Sequence, residues 1–425
     1  MEIAPVIVFV GLLIFMAHFF VALFEKIRVP DVLYLIVIGL ILGPVFRIVR
    51  PEDFGKVGHV FTTIALVIIL FEGGLDLGIA QLRKSWRETV FITILSYFVS
   101  AGMLTVAIYY LTDLNLHASF FVSAVLAGPA PSVIIPLVKN LRLKDSSKTT
   151  LTLESSLGEA LCIVVALAVL EAYKVEEVRV GRVIGSMVAS FLFALVIGGI
   201  GGYVWSILLN KMRQLRNAII TTPSFAFIIY GVADFLGFSG PIAVLTFGIV
   251  LGNIGIFNLS WLEERLNLTP IVHNETEKLF FGELVFVVKT FFFVFIGLSV
   301  EVSNYSAMAF AITLTGVLLF SRYVAVRLSV NKQTSGNDAL LMSVLVPKGT
   351  AAAVLASLPL QMGILGADLI QNLTYGVVTF SILISAGLVY LLERAPLEPS
   401  ETWLFSGFGS SGQENPRPPS ATDSD

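Results

Sequence analysis

Leu151-Thr-Leu-Glu-Ser-Ser-Leu-Gly-Glu-Ala-Leu-Cys-Ile-Val-Val-Ala-Leu-Ala-Val-Leu170 is a helix-length apolar segment that carries two carboxylates, Glu154 and Glu159. An ionised acid at mid-membrane costs roughly 2.5–3.5 kcal/mol on the insertion scale, so it is rarely kept without a partner or a task. At about 100° per residue, Ser155 and Glu159 share a helix face with Cys162 beside them, while Glu154 points about 140° away. The two acids therefore need different partners, and the segment handles charge inside a bilayer.

The composition agrees. Of 425 residues, 56% are hydrophobic and 13% charged, with a mean hydropathy of +0.88. A soluble domain carries about 25% charged residues. Apolar runs of this kind cross a membrane as helices, so the chain reads as an all-α polytopic membrane protein. The net charge of -3, with no dense run of lysine and arginine, gives no basis for a nucleic-acid partner. A single cysteine and four histidines point to no soft or redox metal and to no cofactor, and the lone thiol excludes an intrachain disulfide.

Apolar runs of roughly 17–25 residues give about thirteen expected spans. They lie near residues 6–24, 31–49, 57–79, 89–111, 117–139, 150–171, 183–209, 218–236, 240–256, 279–300, 306–329, 338–361 and 370–392. The first lacks a basic leader and a small-residue cleavage site, and reads as a retained helix. With the N-terminus outside, the inward loops hold Lys26, Arg28, Arg83, Lys84, Arg87, Arg142, Lys144, Lys148, Lys211, Arg213, Arg216 and Lys332. The outward loops hold Arg47, Arg50, Lys56, Lys174, Arg179 and Arg182. That excess favours a multi-pass protein of the plasma or inner membrane, N-terminus outside and C-terminus cytoplasmic. Residues 1–392 form the membrane domain, and the Ser-, Gly-, Pro- and acid-rich residues 393–425 read as a short disordered tail with no nucleotide-binding domain.

Two spans cannot be plain helices. Ala127-Gly-Pro-Ala-Pro-Ser132 and Val346-Pro-Lys-Gly349 contain prolines that remove backbone donors and restrict the residues before them. The breaks centre on Gly128, Pro129, Ala130 and Pro131, and on Pro347, Lys348 and Gly349. Irregular backbone at that depth is tolerated only when it is buried in protein or lines a wet cavity. Two interrupted helices in corresponding halves point to a secondary transporter's binding site rather than to an enzyme.

These segments resemble the monovalent cation:proton antiporters of the NhaP, NapA and Kef kind. Val29-Pro-Asp-Val-Leu-Tyr-Leu-Ile-Val-Ile-Gly-Leu-Ile-Leu-Gly-Pro44 is similar to that family's second helix and Phe71-Glu-Gly-Gly-Leu-Asp-Leu77 to its third. Lys289-Thr-Phe-Phe-Phe-Val-Phe-Ile-Gly-Leu298 is similar to its tenth, and Pro347-Lys-Gly-Thr-Ala-Ala-Ala-Val-Leu-Ala-Ser-Leu-Pro359 to its twelfth. The resemblance implies an NhaA-like fold of inverted repeats with two broken, crossing helices. It also implies a lipid-embedded homodimer whose six-helix core, near 57–171 and 279–361, moves against a dimerising scaffold and carries the site across in elevator fashion.

The chain departs from the family pattern in two places. Where the sixth helix of the family ends its motif in Asn-Asp or Asp-Asp, this one has Gly158 and Glu159, and the usual Thr-Asp-Pro of the fifth falls on Pro129, Ala130 and Pro131. The resemblance then implies roles residue by residue. Glu159 takes the place of the ion-binding aspartate, with Ser155 on its face, and Arg322 becomes the structural mate of Glu154. Glu72 reads either as a second cation ligand or as a cap. Lys289 reads either as the ammonium that neutralises an empty carboxylate site or as a snorkelling lysine. Lys348 is placed to offset negative half-helix ends. Asp76 reads as a solvated helix-end acid, Asp234 and Glu283 as peripheral, and His18 as a bonded packing residue.

Glu159, Glu72 and Ser155, with freed carbonyls around Gly128 to Pro131, are thus the expected oxygen ligands of a monovalent cation, Glu159 and Glu72 foremost, with Na+ or K+ and protons as substrates. Proton and cation compete for one carboxylate in a site where burial opposes its charge and a nearby ammonium favours it. An uncoupled cation channel, a transport-inactive receptor or scaffold of the same fold, and an organic-anion symporter are the alternative readings. The symporter would want more polar side chains around the breaks.

Overall fold

The computed structural model describes residues 31–49, 55–77, 79, 86–173, 180–212, 220–256, 275–299, 305–331 and 334–394, together with scattered helical positions between 11 and 19. Most of the first expected span, the tail from 395 onward, and Lys26, Arg28, Arg50, Arg83, Lys84, Lys174, Arg179, Arg213, Arg216 and Lys332 lie outside the described residues.

The architecture is all-α. In chain order the helices are α1 (Asp31–Leu40), α2 (Gly55–Asp76), α3 (Trp86–Leu111), α4 (Leu116–Ala127), α5 (Pro131–Asn140), α6 (Asp145–Tyr173) and α7 (Val180–Met212). They continue with α8 (Thr221–Phe235), α9 (Gly240–Gly252), α10 (Glu275–Ser299), α11 (Tyr305–Ser329), α12 (Gly336–Val344), α13 (Thr350–Gln361) and α14 (Ala367–Arg394). Among the described residues, seven helical stretches are long and apolar enough to cross a membrane. Proline accounts for several shorter pieces. Pro44 has no N–H to continue the ladder after α1, so the chain widens into a π-turn over Ile41–Val45, and the Phe46 N–H reaches back to Ile41 O at 3.0 Å.

Packing sorts these helices into two sets. α3 packs on α4 and α11, α6 on α4, α3 and α5, and α14 on α13 and α11. In the other set α2 packs chiefly on α9, α9 on α7 and α8, and α10 on α1. The sets meet where α13 touches α2 and α10 and where α6 touches α2, α7 and α9. By packing, α2 and α10 fall with the second set and α14 with the first. The cause at α2 is a backbone-to-backbone contact that hydropathy does not reveal. A Cβ on Gly74 would strike the Leu245 carbonyl and one on Gly248 the Phe71 carbonyl, so only glycine at both positions lets α2 and α9 sit this close.

Candidate functional site

The chain leaves helical geometry at both breaks. After α4 ends at Ala127, Gly128 and Ala130 are extended, and α5 starts at Pro131. Leu345 to Gly349 separate α12 from α13. The two irregular segments are tied together by the Ala130 N–H, which donates to Pro347 O at 2.9 Å. Ser381 and Ser385 of α14 accept from the Lys348 N–H at 3.0 Å and the Val346 N–H at 3.2 Å.

Each break leaves helix carbonyls without partners of their own, and cations cover them. The Lys348 side chain, 2% exposed, donates from Nζ to Ala127 O at 3.3 Å and Gly128 O at 3.1 Å, where the end of α4 is partially negative. Arg322 Nε donates to Met342 O at 3.0 Å in the last turn of α12. Lys348→Met should therefore lower stability by about 1–3 kcal/mol for each buried carbonyl left unpaired. Thermal unfolding in detergent measures this, and Lys348→Arg should recover part of the loss.

Arg322 also meets Glu154. Nη2 donates to Oε2 at 2.9 Å, Nη1 pairs with Oε1 and also donates to Ser96 Oγ at 2.9 Å, and both charged side chains are buried. The fork matches the carboxylate at two points. One guanidinium thereby links α3, α6, α11 and α12.

Close packing explains the departures at Gly158 and Pro129 as one linked change. A Cβ on Gly158 would come within 2.8 Å of Pro129 Cδ, and one on Gly128 would strike the Gly158 carbonyl. The proline ring occupies the space a larger side chain at 158 would need. Beside this contact the Cys162 thiol is buried and donates to the carbonyls of Ala124 and Val125, each at 2.8 Å.

A cavity of about 210 Å³ opens between the two helix sets. Its first wall carries Ser156 and Glu159 of α6, Ser132 of α5 and Thr350 of α13, and its second carries Glu72 and Asp76 of α2 with Lys289 of α10. Glu159 reaches across, for a Cβ on Gly73 would lie 3.9 Å from its Oε2. Lys289 Nζ is 2.7 Å from Glu72 Oε2 and 2.9 Å from Oε1, so its ammonium serves the acid on its own wall. Among the described residues Glu159 has no ion-pair partner. The first turns of α5 and α13, whose helix ends are partially positive, open on the same cavity as Glu159. A second cavity of about 300 Å³, with Phe71 and Phe281 in its lining, also reaches Glu72 and Asp76.

Ser155 is not part of this lining. It is buried, and its hydroxyl donates to Thr152 O at 2.9 Å. On the α6 wheel the cavity faces Ser156, Glu159, Ala160 and Ile163, a stripe centred about 50° to one side of Glu159, whereas Ser155 lies about 40° to the other. Sequence reasoning missed Ser132, Ser156 and Thr350. The available signal was that Ser132 and Thr350 each follow directly on a break, at a helix start.

Ser132 has a further property. Its Oγ is shielded from solvent and has no hydrogen-bond partner among the described residues, a state that costs a buried hydroxyl about 1–3 kcal/mol. Elsewhere Asp76 ends α2 with an exposed side chain, and Asp234 is exposed. His18 approaches Glu283 at 3.3 Å, both exposed, and stands edge-on to Phe286. Among the described residues no three His, Cys, Asp or Glu are grouped as a metal site would need, so an ion here would draw on hydroxyls and carbonyls as well as on acids.

Comparison with known proteins gives a consistent result. The family described as "Sodium/hydrogen exchanger, transmembrane" matches residues 11–392. The Na(+)/H(+) antiporter NhaH of Halobacillus aidingensis is 25% identical over 381 residues, covering 86% of this chain and 91% of that protein. The K(+)/H(+) antiporter NhaP2 of Shewanella sp. (strain ANA-3) is 24% identical over 373 residues, 85% of this chain but 61% of NhaP2. The solved structure of the sodium proton antiporter MjNhaP1 from Methanocaldococcus jannaschii at pH 8 has the same fold, with a TM-score of 0.72 at 18% identity over 91% of this chain and 100% of that one.

Proposed function

This chain belongs to the transmembrane sodium/hydrogen exchanger family, and from that premise we propose that it exchanges a monovalent cation, Na+ or K+, for protons across the membrane. The observation that carries the reading is Glu159, an acid without an ion pair among the described residues, facing a cavity between two helix sets. NhaH is named for Na+ and NhaP2 for K+, so both ions are candidates here.

In this reading α3 to α6 with α11 to α14 form the moving core, and α1, α2 and α7 to α10 the scaffold. The Glu154–Arg322 pair and the tie between the broken helices keep the core rigid, and the two broken helices act as the crossing pair of an inverted-repeat transporter. Glu159 travels with the core past Glu72 and Lys289. Crossing with a bare carboxylate is unfavourable in a low-dielectric surround, so the core reorients only when Glu159 holds a proton or a cation, and exchange results. The functional unit is a lipid-embedded homodimer in a plasma or inner membrane, N-terminus outside. The pairing of Lys289 with Glu72 leaves one movable acid per cycle, which favours one-for-one exchange.

Purified protein in proteoliposomes with an internal pH dye tests this. External Na+ or K+ should drive protons out and raise the internal pH. Cation entry without proton movement would mean a channel, and no response to any alkali cation would mean an inactive protein. With Na+ as substrate and the potential clamped by valinomycin and K+, one-for-one exchange gives a rate indifferent to voltage, and a voltage-dependent end point would refute that stoichiometry.

A further inference from the structure

We propose that the hydroxyl of Ser132 is a direct ligand of the transported cation, replacing the oxygen ligands that Pro129 and Ala130 do not provide. The inference rests on the proposed exchange for its biological sense, but it stands on geometry of its own.

Ser132 is the second residue of α5, beside Pro131 and on the same cavity wall as Glu159, Ser156 and Thr350. Hydroxyls inside the helices of this protein ordinarily return to a carbonyl one turn back, as Ser156 does to Thr152 O at 3.1 Å and Ser123 to Ser119 O at 2.6 Å. Ser132 makes no such return bond among the described residues. Its fourth residue back is Gly128, which lies in the extended segment and whose carbonyl accepts from Lys348 Nζ at 3.1 Å. Gly349 of the second broken segment lies over the other side, since a Cβ there would stand 3.4 Å from Ser132 Oγ. The hydroxyl is thus held out of water, with its local acceptor directed elsewhere, on the wall of the cavity that carries Glu159.

Buried polar atoms in native proteins are normally satisfied, and an orphan calls for a ligand or a water. A hard monovalent cation wants oxygen donors, and one carboxylate alone does not replace its hydration shell. Ser132 Oγ offers a neutral oxygen on the cavity wall that carries Glu159, and both residues belong to the same helix set. A cation held between them would keep both ligands as the set moves. Glu72 and Asp76 on the facing wall would meet the ion only in one orientation.

The test compares wild type with Ser132→Ala, Ser132→Cys and Ser132→Thr by two measurements. The first is thermal unfolding in detergent with NaCl, KCl or LiCl against choline chloride, which reads binding without transport. The second is the cation concentration dependence of exchange in proteoliposomes. Alanine and cysteine, which lack a hard oxygen donor, should lose most of the alkali-specific stabilisation and raise the apparent KM by about tenfold, as expected for one oxygen ligand. Threonine should stay near wild type. In choline, Ser132→Ala should be no less stable than wild type, because no protein hydrogen bond is removed, whereas a hydroxyl held by a structural water would make it less stable. If wild type exchanges cations but alanine leaves both the KM and the salt-specific shift unchanged, Ser132 is no ligand and the exchange reading survives. If alkali salts stabilise wild type and not Ser132→Ala, yet no exchange occurs, the ligand assignment survives and the exchange reading falls. A wild type that neither binds nor exchanges alkali cations overturns both.

Discussion

Glu159→Gln should reduce cation-driven proton movement to the level of empty liposomes while leaving the unfolding temperature of the purified protein near that of wild type. Glutamine keeps the shape of the side chain but fixes it neutral, so it can neither release a proton nor offer a charge to a cation. Stability should hold because, among the described residues, Glu159 has no ion pair to lose, and removing a charge from a membrane-buried cavity relieves an electrostatic penalty. Dye-loaded proteoliposomes give the first quantity and a thermal melt the second. Exchange that persists in Glu159→Gln would end the assignment of this residue as the shared proton and cation site.

The opposite pattern is expected at the other acid of the same helix. Arg322→Ala or Glu154→Ala should lower stability by about 3–5 kcal/mol, because each leaves a buried charge unpaired. The arginine change should be the worse of the two, since it also removes donors to Ser96 Oγ and Met342 O. Replacing both residues by methionine should recover part of the loss, and the double-mutant cycle should show a clear coupling. Strictly additive losses in detergent melts would count against the pair. Arg322→Lys should fall between the extremes, because a lysine keeps the charge but not the fork.

That two acids five residues apart need different partners follows from helix periodicity and was legible in the sequence, whereas their separate roles were what the resemblance to the antiporter family implied. The two breaks were legible too, because proline acts through its own missing donor and ring. The choice between Ser155 and Ser156 was not legible. Both stand within about 60° of Glu159 on the wheel, and only the positions of α2 and α5 decide which side of that face is hollow. The partner of Lys289 was likewise not legible, the sequence leaving it between neutralising a carboxylate site and snorkelling, and the answer depends on which wall α10 joins. That in turn follows from packing: α10 lies with α1, and α2 is held by the contacts at Gly74 and Gly248. Such pairwise contacts leave no periodic signal. The coupling of Gly158 to Pro129 is of the same kind, for each residue alone looks like a lost ligand and together they are a fit.

The sulfur chemistry of the chain follows from one contact beside that fit. The chain has a single cysteine, and its thiol is enclosed between α4 and α6 with its hydrogen directed at backbone carbonyls. An enclosed thiol without access to reagent is inert to alkylation and oxidation. The native protein is therefore silent toward maleimide dyes and spin labels, and a cysteine placed on either helix set would be labelled against a blank background, without first replacing Cys162.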